Sequence, residues 1–188
     1  MPTNLQAVIF DMDGTITKPV IDWHALRSAI GAPPERTIMD HISSLPQPDR
    51  DCANDILLET ELRATDNVEL NDGFCDLHRE IQIRGLKTAV VTNNHGAALQ
   101  NLLAQHELTF DVALSRDDGA LKPAPDLIQK ALDHLGCNPK NALGVGDSQL
   151  DVTACAKLNV TCLYLTHGNP QFEHHPSIVS LREAITYL

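Results

Sequence analysis

Ala7-Val8-Ile9-Phe10-Asp11-Met12-Asp13-Gly14-Thr15 is the stretch on which the reading of this chain turns. Four consecutive apolar residues predict a strand buried on both faces, and the two carboxylates that follow predict a tight turn at its C-terminal end. Central strands of parallel sheets end in this way where a crevice opens and chemistry is done. By itself the acidic pentapeptide also fits a surface Asx turn in which Gly14 supplies backbone freedom. Asp-x-Asp-Gly suggests a calcium loop as well, but a loop counted from Asp11 puts Ile16 where glycine belongs and Asp22 at its twelfth position. The segment before it is strand-like rather than helical, so that reading is set aside.

At 188 residues the chain has room for one domain and a small insertion. A composition 43% hydrophobic and 21% charged is that of a globular protein. The net charge of -11 argues against nucleic-acid or anionic-membrane partners, which need clustered Lys and Arg, and favours a divalent cation. No apolar run approaches the roughly 18 residues of a membrane span, and Met1-Pro2-Thr3-Asn4 opens no signal peptide. A soluble, cytoplasmic protein is expected. Cys52, Cys75, Cys137, Cys155 and Cys162 are widely spread and form no C-x-x-C pair. They read as mostly buried thiols rather than a zinc site or a disulfide framework. The nine histidines show no metal-binding helix spacing, and His174-His175 reads as a solvated loop.

Further strand-like runs at 88–91, 112–114, 142–145 and 160–164 alternate with helical patterns at 76–83, 97–105, 124–135 and 150–158. Such a βαβ series, with right-handed crossovers, predicts a parallel sheet whose strand ends share one edge. The first crossover differs: more than 70 residues separate the first strand from the second, far beyond what a βαβ unit requires. Within it, helices are predicted over 22–30, 34–42 and 49–65. Residues 18–71 therefore form a small all-helical cap, and residues 1–17 and 72–188 the α/β core.

The other strand ends carry polar groups suited to phosphate chemistry. Thr92-Asn93-Asn94 offers a hydroxyl and adjacent backbone N–H groups at a helix start, although such a triplet also serves as an ordinary cap. Lys122 lies in Leu121-Lys122-Pro123-Ala124-Pro125, where the prolines hold the chain extended before a helix. Gly146-Asp147-Ser148-Gln149-Leu150-Asp151 sets two acids four apart at another helix start. Capping explains one of them. Like charges about 4 Å apart at an effective dielectric of about 20 repel by roughly 4 kcal/mol, so a cluster of Asp11, Asp13, Asp147 and Asp151 calls for Lys122 and a bound Mg²⁺.

These four ordered elements, Asp11-Met12-Asp13-Gly14-Thr15, Thr92, Lys122 and Gly146-Asp147 with Asp151, resemble the haloacid dehalogenase superfamily of phosphotransferases and phosphatases. The resemblance covers nearly the whole chain. It implies a Rossmann-like parallel sheet of about five strands with helices on both faces, and the helical insertion is similar to the family's first type of cap. It further implies that Asp11 is a nucleophile forming an aspartyl-phosphate, and that Asp13 is the acid and base. Mg²⁺ would be held by the Asp11 and Asp147 carboxylates and the Asp13 carbonyl, with Gly14 and Asp151 in support. Thr92, Lys122 and backbone N–H groups near Met12, Asp13 and Asn93 would bind the phosphoryl oxygens.

The substrate would be a small phosphorylated metabolite, chosen by the cap. Lys18, Trp23, His24 and Arg27 are its candidates, and Arg27 reads equally well as a surface residue. Phosphoglycolate phosphatase is a near relative by layout. A dehalogenase would lack Asp13, and a phosphonate-cleaving relative would want a cap lysine, whereas Lys18 is alone before Leu86. A mutase of the β-phosphoglucomutase type keeps all four motifs, and a non-catalytic phospho-ligand-binding domain remains the reading outside enzymes.

Overall fold

The computed structural model describes residues 4–188. The reading of Met1-Pro2-Thr3 lies outside them. Six parallel strands form one sheet: β1 (Ala7–Phe10), β2 (Lys87–Val91), β3 (Val112–Leu114), β4 (Ala142–Gly146), β5 (Thr161–Leu165) and β6 (Ser177–Ile178), in the order β3-β2-β1-β4-β5-β6. Phe10 pairs with Val90 on one side and Val145 on the other. The strand order therefore reverses beside β1, so the turn after Phe10 lies between the ends of β2 and β4. In open parallel sheets that reversal is where a crevice forms.

The expected five strands become six. β6 joins β5 through Tyr164↔Ser177 and Leu165↔Ile178, and a two-residue strand directly after Pro176 is too short to show any periodicity. His174 is also not a solvated loop residue: its Nε2 lies 2.9 Å from the Cys162 carbonyl and its ring edge meets Tyr164, whereas His175 is exposed.

The unbroken apolar run of β1 serves two faces. Val8 and Phe10 point into a core with α4 (Phe74–Ile83), α5 (Gly96–Gln105) and α8 (Leu181–Ala184). Ala7 and Ile9 point into a second core with α6 (Asp126–Leu135) and α7 (Gln149–Lys157). Fully burying Phe10 contributes about 3 kcal/mol, and the alternation explains why no polar residue is tolerated between positions 7 and 10.

Between β1 and α4 run α1 (Trp23–Ile30), α2 (Ile38–Ser44) and α3 (Asp49–Thr65). They close a separate small core of Leu26, Ile30, Ile42, Ala53 and Leu57. α2 starts at Ile38 rather than at residue 34, because Thr37 Oγ1 accepts the Asp40 N–H and caps it there. α6 likewise starts after Pro125 instead of at 124, and α4 starts at Phe74 from the left-handed Gly73. Among the described residues no helix is long and apolar enough to cross a membrane.

Candidate active site

Each strand end delivers its side chain to the same place because the register aligns the last residues of β1, β2 and β4. Asp11 continues the ladder, its N–H bonded to Val145 O at 2.9 Å. Lys122 Nζ donates to Asp11 Oδ1 at 2.5 Å, Asp151 Oδ1 at 2.6 Å and Val91 O at 2.9 Å. Burial alone would pull the ammonium's pKa down, but the flanking Asp11 and Asp151 carboxylates overcome it and raise the pKa above its ordinary value.

Asp11 itself is pushed well above the usual carboxylate range, chiefly by burial, with Lys122 opposing and Asp151 and Asp147 adding repulsion. Burial, and then repulsion from Asp151, raise Asp147 to about 7. Ser148 donates its N–H and its hydroxyl to Asp151 Oδ2 and completes a capping box at the start of α7. Both oxygens of Asp151 thus have donors. Among the described residues Asp11 Oδ2 has none.

Asp13 is also raised by burial, a rise held in check by the hydrogen bond from Asn94 Nδ2 to its Oδ2. Thr92 is buried, and its Oγ1 accepts the Asn94 N–H at 3.1 Å, which curls the loop after β2 back toward β1. The Asn93 side chain holds Lys122 from below: Nδ2 donates to Lys122 O and Oδ1 accepts its N–H, both at 2.9 Å. The backbone N–H groups of Met12, Asp13 and Asn93 meet no protein acceptor among the described residues. Such groups at one strand edge make an anion cradle.

Carboxylate oxygens of Asp11, Asp147 and Asp151 all lie within 4.8 Å of one another. Three hard carboxylates that share only one ammonium, Lys122, fit Mg²⁺, and Gly14 makes room for them: a Cβ there would stand 2.1 Å from Asp147 Oδ2. Gly146 clears Asp151 in the same way, at 2.4 Å from its Cβ.

The family model for haloacid dehalogenase-like hydrolases matches residues 20–165. The chain belongs to that family. Its helical insertion after the first motif and its parallel sheet are those of a phosphoglycolate phosphatase-like member, and the protein is a hydrolase of phosphoric monoesters. It is 30% identical to a haloacid dehalogenase-like hydrolase domain-containing protein of Arabidopsis thaliana, over 82% of this chain and 68% of that one. To phosphoglycolate phosphatase 1 of Pseudomonas aeruginosa it is 26% identical, over 92% of this chain and 75% of the relative. In fold it is similar to CbbY of Rhodobacter sphaeroides, crystallised with phosphate, with a TM-score of 0.73 and 20% identity over 96% of each chain.

Of the remaining sequence candidates in this hydrolase, Lys18 and Arg27 bond to the insertion and its connections, and Trp23 stands open. Lys18 pairs with Glu69 at 2.6 Å, tying together the two chain segments that lead into and out of the insertion. Arg27 donates to the carbonyls of Pro33 and Arg36 and so braces the α1–α2 connection. Trp23 is 44% exposed at the start of α1.

Several contacts around the site escaped the sequence reading, among them the one made by the Asn94 side chain. Asn71 Nδ2 donates to the carbonyls of Gly14, Thr15 and Thr17 and pins the loop after Asp13. His167 Nε2 lies 2.7 Å from Gly14 O. Asn94 holds Asp13, and buried Glu61 meets Arg116 and His95. None of these belongs to a spaced motif. Only Asn94, beside Thr92-Asn93, stood where a motif could have pointed to it.

Proposed function

We propose that the protein is a Mg²⁺-dependent phosphatase that hydrolyses a small-molecule phosphate monoester through an aspartyl-phosphate. The observation that carries this is the state of Asp11: Lys122 fixes one oxygen, and the other has no donor at the crevice floor. Its free oxygen forms a bond to phosphorus as the ester P–O bond breaks. Asp13 donates its proton to the departing alkoxide. Water then attacks the same phosphorus, Asp13 takes the water's proton, and the bond to Asp11 breaks to release phosphate.

Burial raises the Asp13 carboxyl toward the protonated form that a general acid needs, and the Asn94 bond holds its Oδ2 in place. Thr92, the Lys122 ammonium and the N–H groups of Met12, Asp13 and Asn93 bind the phosphoryl oxygens as charge spreads over them. Asp11, Asp147 and the Asp13 carbonyl would hold Mg²⁺, which when bound neutralises the charge of the substrate phosphate beside the anionic nucleophile. Asp151 and Asn93 position Lys122 from its head and its backbone.

The likeness to phosphoglycolate phosphatase 1 supports a small anionic phosphate ester as substrate. The test is phosphate release from p-nitrophenyl phosphate, phosphoglycolate and hexose phosphates, with Mg²⁺ or EDTA, beside Asp11→Asn. Metal-dependent release abolished in the variant is expected. Turnover unchanged by Asp11→Asn would overturn the nucleophile, and transfer of phosphate to a second sugar hydroxyl instead of water would favour a mutase.

A further inference from the structure

Helix α3 buries a single stripe, Ala53, Leu57, Glu61 and Thr65. The spacing of four keeps these residues on one face. Ala53 and Leu57 belong to the core of the insertion, and the stripe then runs on to the α/β core. There Thr65 Oγ1 accepts from Asn101 of α5 at 3.0 Å. Glu61, only 2% exposed, is the anomaly. Acids are almost never this buried without dedicated partners, and burial raises its carboxyl against the pull of Arg116.

Both partners come from the other side of the crevice. Glu61 Oε1 takes the Arg116 guanidinium, and Oε2 takes the His95 N–H at 3.0 Å. His95 follows Asn94 directly, and the Arg116 N–H donates to Asn94 O at 3.0 Å. Asn94 Nδ2 in turn holds Asp13 Oδ2. The chain of contacts therefore runs from the insertion to the acid: Glu61, then His95 and Arg116 on either side, then Asn94, then Asp13. Among the described residues no other side chain of α1–α3 hydrogen-bonds the loops after β2 and β3.

We propose that Glu61 is a positioning residue for the leaving-group step, which through Arg116, His95 and Asn94 aligns the Asp13 carboxyl only while α3 is docked on the core. A fastening ion pair would need one contact to hold the helix down. Two contacts that bracket Asn94 constrain a side chain that holds the Asp13 carboxyl. This inference rests on the reading of Asp13 as the acid, and its test separates the two.

The full-length enzyme is assayed for kcat/KM, which counts only steps up to the first phosphoryl transfer, on p-nitrophenyl phosphate and on phenyl phosphate. The nitrophenolate departs without a proton, whereas phenolate gains from one. Glu61→Gln is expected to lose about tenfold more on phenyl phosphate than on p-nitrophenyl phosphate, and Asp13→Asn to show the same preference more strongly. Equal losses on both substrates in Glu61→Gln, with the preference retained in Asp13→Asn, would reduce Glu61 to a fastener and overturn the proposal. No preference in Asp13→Asn would instead remove the reading of the acid. Should Glu61→Gln unfold, judged by circular dichroism, the neutralised pair Glu61→Gln/Arg116→Gln and the charge-keeping Arg116→Lys carry the same comparison: a larger loss on phenyl phosphate supports the positioning role, and equal losses overturn it.

Discussion

Two glycines in this active site act by what they omit. Gly14 has φ +78°, where a side chain is strained, and the space a Cβ would need is filled by the Asp147 carboxylate. Gly14→Ala should therefore cost about 1–3 kcal/mol in backbone strain and also displace a proposed metal ligand. The expected outcome is a rise of about tenfold or more in the Mg²⁺ concentration giving half-maximal activity, measured by titration alongside a urea melt. An unchanged metal requirement would show that Asp147 can move without consequence. The sequence marked Gly14 as a turn residue, which needs only the neighbouring Asp13 and Thr15. Its clearance for Asp147 required the sheet to bring β4 beside β1.

At the level of elements, periodicity recovered most of what was written locally. α7 was legible because Ser148 and Asp151 form a capping box within one turn. α2 was misplaced at its start because the Thr37 cap competes with an equally plausible start at Pro34. α4 carries a feature that periodicity treats as ordinary: His78 faces the core, stacked on Phe74 with ring centroids 5.5 Å apart and 5.3 Å from Phe110. Its Nε2 has no partner among the described residues, and burial holds its pKa below the ordinary 6.5. The neutral ring is favoured in the fold, so its contribution to stability is complete above about pH 6.5 and is lost as the pH falls through the folded value, the unfolded chain taking the proton first. Urea midpoints measured near pH 7 and near pH 5.5 should fall further in the parent than in His78→Leu. Equal falls would mean that another group governs the acid limb.

For the molecule as a whole, the central fact is charge gathered at one edge. Asp11, Asp147 and Asp151 share a site with a single ammonium, and the Asp147 carboxyl is lifted to about 7 by burial and by Asp151. A cation that binds this arrangement binds only the folded chain. At 100 times its dissociation constant Mg²⁺ should add about 2.7 kcal/mol, which for a protein of this size raises Tm by roughly 5–10 °C. Thermal melts with Mg²⁺ and with EDTA check this, and Asp147→Asn should lose most of the increment. A melt indifferent to Mg²⁺ in the parent would sink the metal assignment. The α/β class was legible in the chain alone, and so was the choice of Asp11, Asp13, Thr92, Lys122 and Asp147 as the residues proposed for the site, since each stands in or shortly after a strand. That Asn71 clamps the first loop, that Arg27 braces the insertion, and that Glu61 reaches toward Asp13 through Arg116, His95 and Asn94 emerges solely from the folded chain. Those contacts join residues far apart in the chain, so no local spacing encodes them. They exist because the strand order and the docking of α3 bring separate loops to a common edge.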